Sequence, residues 1–181
     1  IAIKTGHPVC WIEDRGEQLT ANANCREHDY EITAYADADG KILAIECEAT
    51  VDAGAYSAYP FSACLEAAQI ASILPGPYTI AGYRCRTWSS ATNKPPILPY
   101  RGVARTGVCF ALETVIDVLA RDLGVEPYKM RVLNLPTPQQ MPFKNVTQKR
   151  FDSGDYPECV LRAAKAIDVA AIRARQDLGE I

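Results

Sequence analysis

One run of residues carries the most legible chemistry in the chain: Asn93-Lys94-Pro95-Pro96-Ile97-Leu98-Pro99-Tyr100-Arg101-Gly102-Val103-Ala104-Arg105. Prolines stiffen the approach, and the run leads straight into a helical pattern over Thr106–Leu123. Backbone N–H groups at a helix mouth, two guanidiniums and an aromatic ring can there converge on an anionic ligand. An ordinary strand-to-helix connection with surface arginines uses the same residue types, and spacing alone does not separate the two.

Other chemistries find little local support. His7 and His28 are the only histidines, and neither stands beside a second metal ligand at helical or hairpin spacing. Gly-x-Ser-x-Gly, phosphate-loop and dinucleotide glycine patterns are absent, so hydrolase, kinase and NAD-dehydrogenase readings have no motif behind them. Glu46 with Glu48, and Glu31 across a hairpin, fall where alternating strands turn polar side chains to water. Glu113 adjoins an apolar helix stripe, so a partly buried carboxylate there is expected to meet Arg101 or Arg105, unless it reaches solvent.

At 181 residues the chain can bury a substantial core as one domain or two small lobes. Lys and Arg total 19 against 22 Asp and Glu, which gives no electrostatic reason to expect nucleic acid or an anionic membrane. Lys144 with Lys149-Arg150 reads as a solvated loop. The seven cysteines are scattered, odd in number and never spaced Cys-x-x-Cys, so neither a disulfide framework nor a zinc site is legible. Cys47 and Cys109 lie in apolar patterns as small buried hydrophobes, and free thiols suit a reducing cytoplasm. Asn145-Val146-Thr147 matches a glycosylation sequon by accident. No apolar run approaches the roughly 20 residues of a membrane span, and no secretory signal layout opens the chain.

These residues need elements to position them. Ile1–Gly6 reads as the last turn of a helix closed by Gly6 and lacks an initiating Met, so the chain is expected to be a piece of a longer polypeptide. His7–Ile12 is expected to be a short buried strand. Tyr30, Ile32 and Ala34 alternate with polar residues, Asp37–Gly40 turns the chain, and Leu43, Ile45, Cys47, Ala49 and Val51 resume the period, predicting a long antiparallel hairpin over 27–52. Asp52–Tyr56 ends the second strand, and the small residues there would let another backbone come close. A helix is expected over Phe61–Leu74, and a strand pair or one long bent strand over Tyr78–Ser89. The clearest helix is Thr106–Leu123, with Val108, Ala111, Leu112, Val115, Leu119 and Leu123 as its stripe. Another opens at Glu126-Pro127 and runs to about Asn134. Pro136–Asp152 reads as an ordered loop, followed by an amphipathic helix with Val160, Leu161, Ala164 and Ile167 and a further helix over Asp168–Ile181. Strands first and helices later make the class α+β, with an antiparallel or mixed sheet in the N-terminal half and packed helices in the C-terminal half.

Eight segments then carry a resemblance: Lys4–Val9, Trp11–Arg15, Asp39–Ile42, Leu74–Tyr78, Thr92–Pro96, Pro99–Val103, Phe110–Glu113 and Asp152–Pro157. In order and spacing they resemble the molybdenum-binding large subunit of the xanthine dehydrogenase, aldehyde oxidase and carbon monoxide dehydrogenase family, along nearly the whole chain. The resemblance implies that 1–181 is an internal fragment of a larger molybdopterin-binding domain, with a strand-rich lobe over 1–103 and a helical segment over 104–181. It implies a molybdenum–pterin cofactor, with 2Fe-2S and FAD groups on partner subunits or domains. The implied reaction is oxidation of an aldehyde or aromatic heterocycle with water as oxygen source.

By position in that family, Tyr100, Arg101 and Gly102 would bind the cofactor, with Arg101 supporting the metal's oxygen ligands and Gly102 letting the main chain come close. Val103 and Gln69 would fall at substrate positions, which purine-oxidising members fill with phenylalanine and arginine; purine specificity is therefore not expected. Carbon monoxide chemistry is not expected either, because the copper-holding cysteine of those enzymes is replaced by Gly102. None of these residues would coordinate the metal directly. The family's glycine-rich loop would fall shortly before Ile1 and its general-base glutamate after Ile181, so the isolated chain is expected to be inactive and to hold no stoichiometric molybdenum. The alternative is a binding or assembly module that keeps the scaffold without the cofactor; the reading frame on either side of this segment would tell the two apart.

Overall fold

The computed structural model describes residues 1–180. After two short helices, α1 (Ala2–Thr5) and α2 (Arg15–Ala21), the strands β1 (His28–Ala36) and β2 (Ile42–Gly54) form the expected hairpin. Helix α3 (Leu65–Ile73) crosses over to β3 (Gly82–Ala91), a single strand that lies parallel to β2, so the sheet is mixed, in the order β1-β2-β3. Helices α4 (Arg105–Asp122) and α5 (Pro127–Asn134) follow, then a two-stranded ribbon of β4 (Phe143–Lys144) and β5 (Arg150–Phe151), and finally α6 (Tyr156–Ala166) and α7 (Val169–Asp177). Ile181, included in the last helix expected from sequence, lies outside the described residues. No helix among the described residues is long and apolar enough to cross a membrane.

The sheet turns one face to a core closed by α3 and α4. Ile45, Cys47, Ala49 and Val51 of β2 are all buried there, and meet Ile70 and Leu74 from the α3 side and Val108, Leu112 and Ile116 of α4. Burying each of the large aliphatic side chains contributes about 1.5–3 kcal/mol. The opposite face carries charge, with Arg84 pairing Glu46 at 2.7 Å and Arg86 pairing Glu48 at 3.1 Å across the β2–β3 ladder. Asn134, fully buried, ties α5 to the hairpin turn: its Oδ1 accepts from the Ile42 N–H at 2.8 Å, and its Nδ2 donates to Gly40 and Met130 carbonyls at 2.9 Å. These bonds satisfy buried backbone groups at the hairpin turn and within α5.

Several expectations need correction. His7–Ile12 is not a buried strand: it pairs with no strand, and Trp11 and Ile12 are 72% and 85% exposed. Helix α2 has no apolar stripe to announce it, although Asp14 and Glu17 form its capping box. Leu43 does not join the core. The register slips between Tyr35 and Ala36, so Ile42 pairs with Ala36 and takes the buried position while Leu43 points out. The buried stripe of α4 includes Ile116 and Ala120 rather than Val115, and Cys109 is exposed. The loop after Pro136 contains the β4–β5 ribbon. Within it Asn145 is buried, its Nδ2 donating to the Gly76 carbonyl at 2.8 Å, so the sequon asparagine is a structural tie.

Candidate functional site

The approach to the site is strapped to the end of β2. The Ala55 N–H donates to Lys94 O and the Ile97 N–H to Ala53 O, both at 3.0 Å. Gly54 makes this closeness possible: its φ is +71°, and a Cβ there would lie 2.7 Å from the Pro95 carbonyl carbon and 2.8 Å from Pro96 Cα. Asp52 locks the junction, its carboxylate accepting from Thr92 Oγ1 at 2.6 Å, from the Gly54 N–H at 3.0 Å and from Lys94 Nζ at 2.9 Å. The hydroxyl of Thr92 first, then the Lys94 ammonium, lower this carboxyl to about 2.

Beyond Ile97, which is buried, the chain enters the turn that precedes α4. The Val103 N–H donates to Tyr100 O at 2.7 Å and the Arg105 N–H to Gly102 O at 3.0 Å. Gly102 and Val103 both have positive φ, +90° and +53°. The first is ordinary for glycine; the second is strained for a β-branched residue and costs about 1–3 kcal/mol. Ala104, fully buried, fixes the base of the turn. Tyr100 is 63% exposed. Among the described residues the Arg101 side chain has no hydrogen bond or ion pair, and the N–H groups of Thr106 and Gly107 have no partner in the chain. The turn thus offers an uncommitted cation and open helix N-terminal donors, a donor set suited to an anionic group.

A residue far away in sequence completes this turn. Nη2 of Arg26 donates to the Arg101 carbonyl, and the Arg26 guanidinium carbon lies 5.1 Å from the centre of the Tyr100 ring. Arg26 also lines a groove of about 740 Å³ between β1 and α4, with His28, Tyr30, Gly107 and Phe110. Within it, His28 Nε2 donates to Glu66 Oε2 at 2.6 Å and Tyr30 Oη donates to His28 Nδ1 at 3.0 Å. Burial pushes the Tyr30 phenol up and keeps it a donor. Gly107 lets α4 settle on this pair, since a Cβ would stand 2.6 Å from His28 Nδ1. His28 therefore ties β1, α3 and α4 together; a glycine inside the helical pattern is the sequence signal for that close approach.

The structure gathers Tyr100, Arg101, Gly102 and Val103 in one turn. Gln69 is half-buried on α3, and its side chain makes no hydrogen bond to that turn among the described residues. Glu113 does not meet Arg101 or Arg105. Helix α5 packs on α4 and delivers Arg131, whose Nε reaches Glu113 Oε2 and whose Nη1 reaches Asp117 Oδ1, both at 2.7 Å. Tyr78 Oη donates to Glu113 Oε1 at 2.9 Å, and burial followed by the Glu113 charge pushes that phenol up.

Comparison with known proteins gives this geometry a family. Residues 1–135 match the molybdopterin cofactor-binding domain, and the chain belongs to that family. It is 32% identical over 171 residues to the nicotine 6-hydroxylase large subunit of Paenarthrobacter nicotinovorans, an alignment covering 94% of this chain and 21% of that one. It is also 32% identical over 181 residues to the carbon monoxide dehydrogenase large chain of Hydrogenophaga pseudoflava, covering 97% and 22%. Quinoline 2-oxidoreductase from Pseudomonas putida 86 superposes with a TM-score of 0.91 at 32% identity, over 99% of this chain and 23% of that one. The chain spans about a fifth of the length of the curated relatives it matches.

Proposed function

We propose that this chain forms one wall of the molybdenum–pterin site in a molybdenum hydroxylase large subunit, which oxidises an aldehyde or, by preference, a nitrogen heterocycle, with water supplying the oxygen. The observation that carries this reading is the Tyr100–Val103 turn: an unpaired Arg101, a glycine with no side chain, and open N–H donors at the start of α4, in a chain of a molybdopterin-binding family. That donor set fits an anionic, oxygen-rich group. When bound, the molybdenum–pterin cofactor supplies the two-electron oxidation.

The residues of this chain position and polarise. Arg101 would hold the anionic, oxygen-rich side of that group through charge-assisted hydrogen bonds and would favour negative charge there. At Gly102 an added Cβ would meet nothing within 4 Å in this chain, so that side of the turn is open to a group approaching the backbone. Val103 presents a small aliphatic wall on the substrate side. Gln69 offers a neutral amide, suited to a ring nitrogen or a carbonyl rather than an ionised purine. The names of two relatives, nicotine 6-hydroxylase and quinoline 2-oxidoreductase, are those of enzymes acting on nitrogen heterocycles, and support that substrate class. With Gly102 where carbon monoxide-oxidising members place a cysteine, no thiol is present there to hold copper. Partners would be an iron–sulfur small subunit and an FAD medium subunit or equivalent domains, in the cytoplasm.

The test is to produce the large subunit that contains these residues together with its companion subunits, assay molybdenum and pterin, and follow oxidation of aldehydes and nitrogen heterocycles in ¹⁸O-labelled water. The expected result is stoichiometric cofactor and product carrying the label. A subunit without molybdenum or pterin would overturn the proposal.

A further inference from the structure

We infer that Arg26 is a positioning residue for the Tyr100–Val103 turn, holding its backbone by a hydrogen bond to the Arg101 carbonyl and its tyrosine by a cation–π contact over the Tyr100 ring. This inference rests on the reading of that turn as cofactor-facing. Arg26 is 75 residues before Arg101, and two sets of contacts join the two segments. The Asn24 N–H donates to Pro96 O at 3.2 Å and the Leu98 N–H donates back to Asn24 O at 2.9 Å, so residues 24 and 96–98 are zipped together just before the turn. Arg26 itself has φ +65°, a left-handed backbone that a side chain rarely tolerates. Its guanidinium then meets the turn twice, at the Arg101 carbonyl and on the Tyr100 ring.

The two residues with strained backbones, Arg26 and Val103, lie on opposite sides of this junction. Strain of that kind persists only where surrounding contacts over-determine the conformation. Here the contacts on the Arg26 side are the two backbone hydrogen bonds of Asn24 and the two made by the Arg26 guanidinium. A planar fork can donate in its plane and stack through its face at the same time, which an ammonium cannot do. Arg26 holds the turn by its backbone and its tyrosine ring, and among the described residues the Arg101 side chain has no hydrogen bond or ion pair of its own. That side chain is therefore free to serve a ligand. The Nε–H of Arg26, buried and without a partner, remains as a further donor next to the turn.

The experiment uses the large subunit that contains these residues and hydrogen exchange read by mass spectrometry, with trypsin cleavage after Arg101 as a second readout. In Arg26→Gln the amides of Val103 and Arg105 should exchange about ten- to a hundredfold faster and cleavage at Arg101 should accelerate, while amides of the β1–β2 ladder keep their rates. Arg26→Lys, the milder variant should Arg26→Gln not fold, keeps the charge over Tyr100 and loses the fork; it should fall between wild type and Arg26→Gln. Exchange at Val103 and Arg105 that matches wild type in Arg26→Lys, or in a folded Arg26→Gln, would overturn the inference. These readouts involve no molybdenum, so they can fail while the proposed function stands. In the loaded enzyme the same variants should lower kcat more than they raise KM. If the turn loosens as expected and kcat is unchanged, the cofactor-facing reading of the turn is what fails.

Discussion

Replacing Asp52 by asparagine isolates the charge that fastens the site's approach to the sheet. The native carboxylate accepts from Thr92 Oγ1, the Gly54 N–H and Lys94 Nζ, and its side chain is only 17% exposed. Held at about 2 instead of 3.8, it contributes at most about 2.4 kcal/mol to folding above pH 4, because a tenfold change in proton affinity is worth about 1.36 kcal/mol. Lys94 is half exposed, so solvent screening reduces the expected value to about 1–2 kcal/mol. The sign follows from a carboxyl lowered in the folded state: its stabilisation is fully present above the unfolded value near 4 and is lost as pH falls from about 4 toward 2. The substituted amide keeps the shape and the acceptor oxygen but cannot titrate. Urea denaturation of both proteins at pH 7, 5, 4 and 3 should therefore show Asp52→Asn less stable by about 1–2 kcal/mol at pH 7, with the gap narrowing below pH 4. A gap that stays constant to pH 3, or no gap at pH 7, would refute the reasoning.

Two further substitutions probe the supports of the site. Arg131→Met leaves Glu113, then held by the Tyr78 hydroxyl alone, and Asp117 as carboxylates without a cation one helical turn apart, and should cost about 2 kcal/mol by urea denaturation, below the range for fully buried pairs because Glu113 is a third exposed; Arg101→Met in the same assay should cost less than about 0.5 kcal/mol. Gly54→Ala forces a left-handed backbone on a residue with a Cβ and drives that carbon into Pro95 and Pro96. It should cost more than about 3 kcal/mol, and a loss below about 1 kcal/mol would contradict the close approach.

What can be read from the sequence is what is local. The β1–β2 hairpin follows from period-two alternation around Asp37–Gly40, and the Tyr100–Val103 turn from prolines and glycine ahead of a strong helical stripe. Errors arise where geometry overrides pattern. One bulged residue exchanges Ile42 for Leu43 in the core, because side chains on a strand swap faces with every single-residue slip. Proximity in sequence points Glu113 to Arg101 and Arg105, whereas the α4–α5 fold-back brings Arg131 nearer in space. The apolar run His7–Ile12 has strand composition but no neighbouring strand to pair with. Arg26 has no local signal at all, since its role depends on a contact with a turn 75 residues later.

In the proposed enzyme the Arg101 side chain faces the molybdenum centre. This placement is tested most directly by the Mo(V) electron paramagnetic resonance spectrum and kcat of Arg101→Ala, with Arg121→Ala, at the far end of α4, as the comparison. Arg101→Ala should shift the Mo(V) g values and lower kcat by about a hundredfold or more at unchanged molybdenum content, while Arg121→Ala should do neither. An Arg101→Ala enzyme with wild-type spectrum and wild-type kcat would contradict the claim.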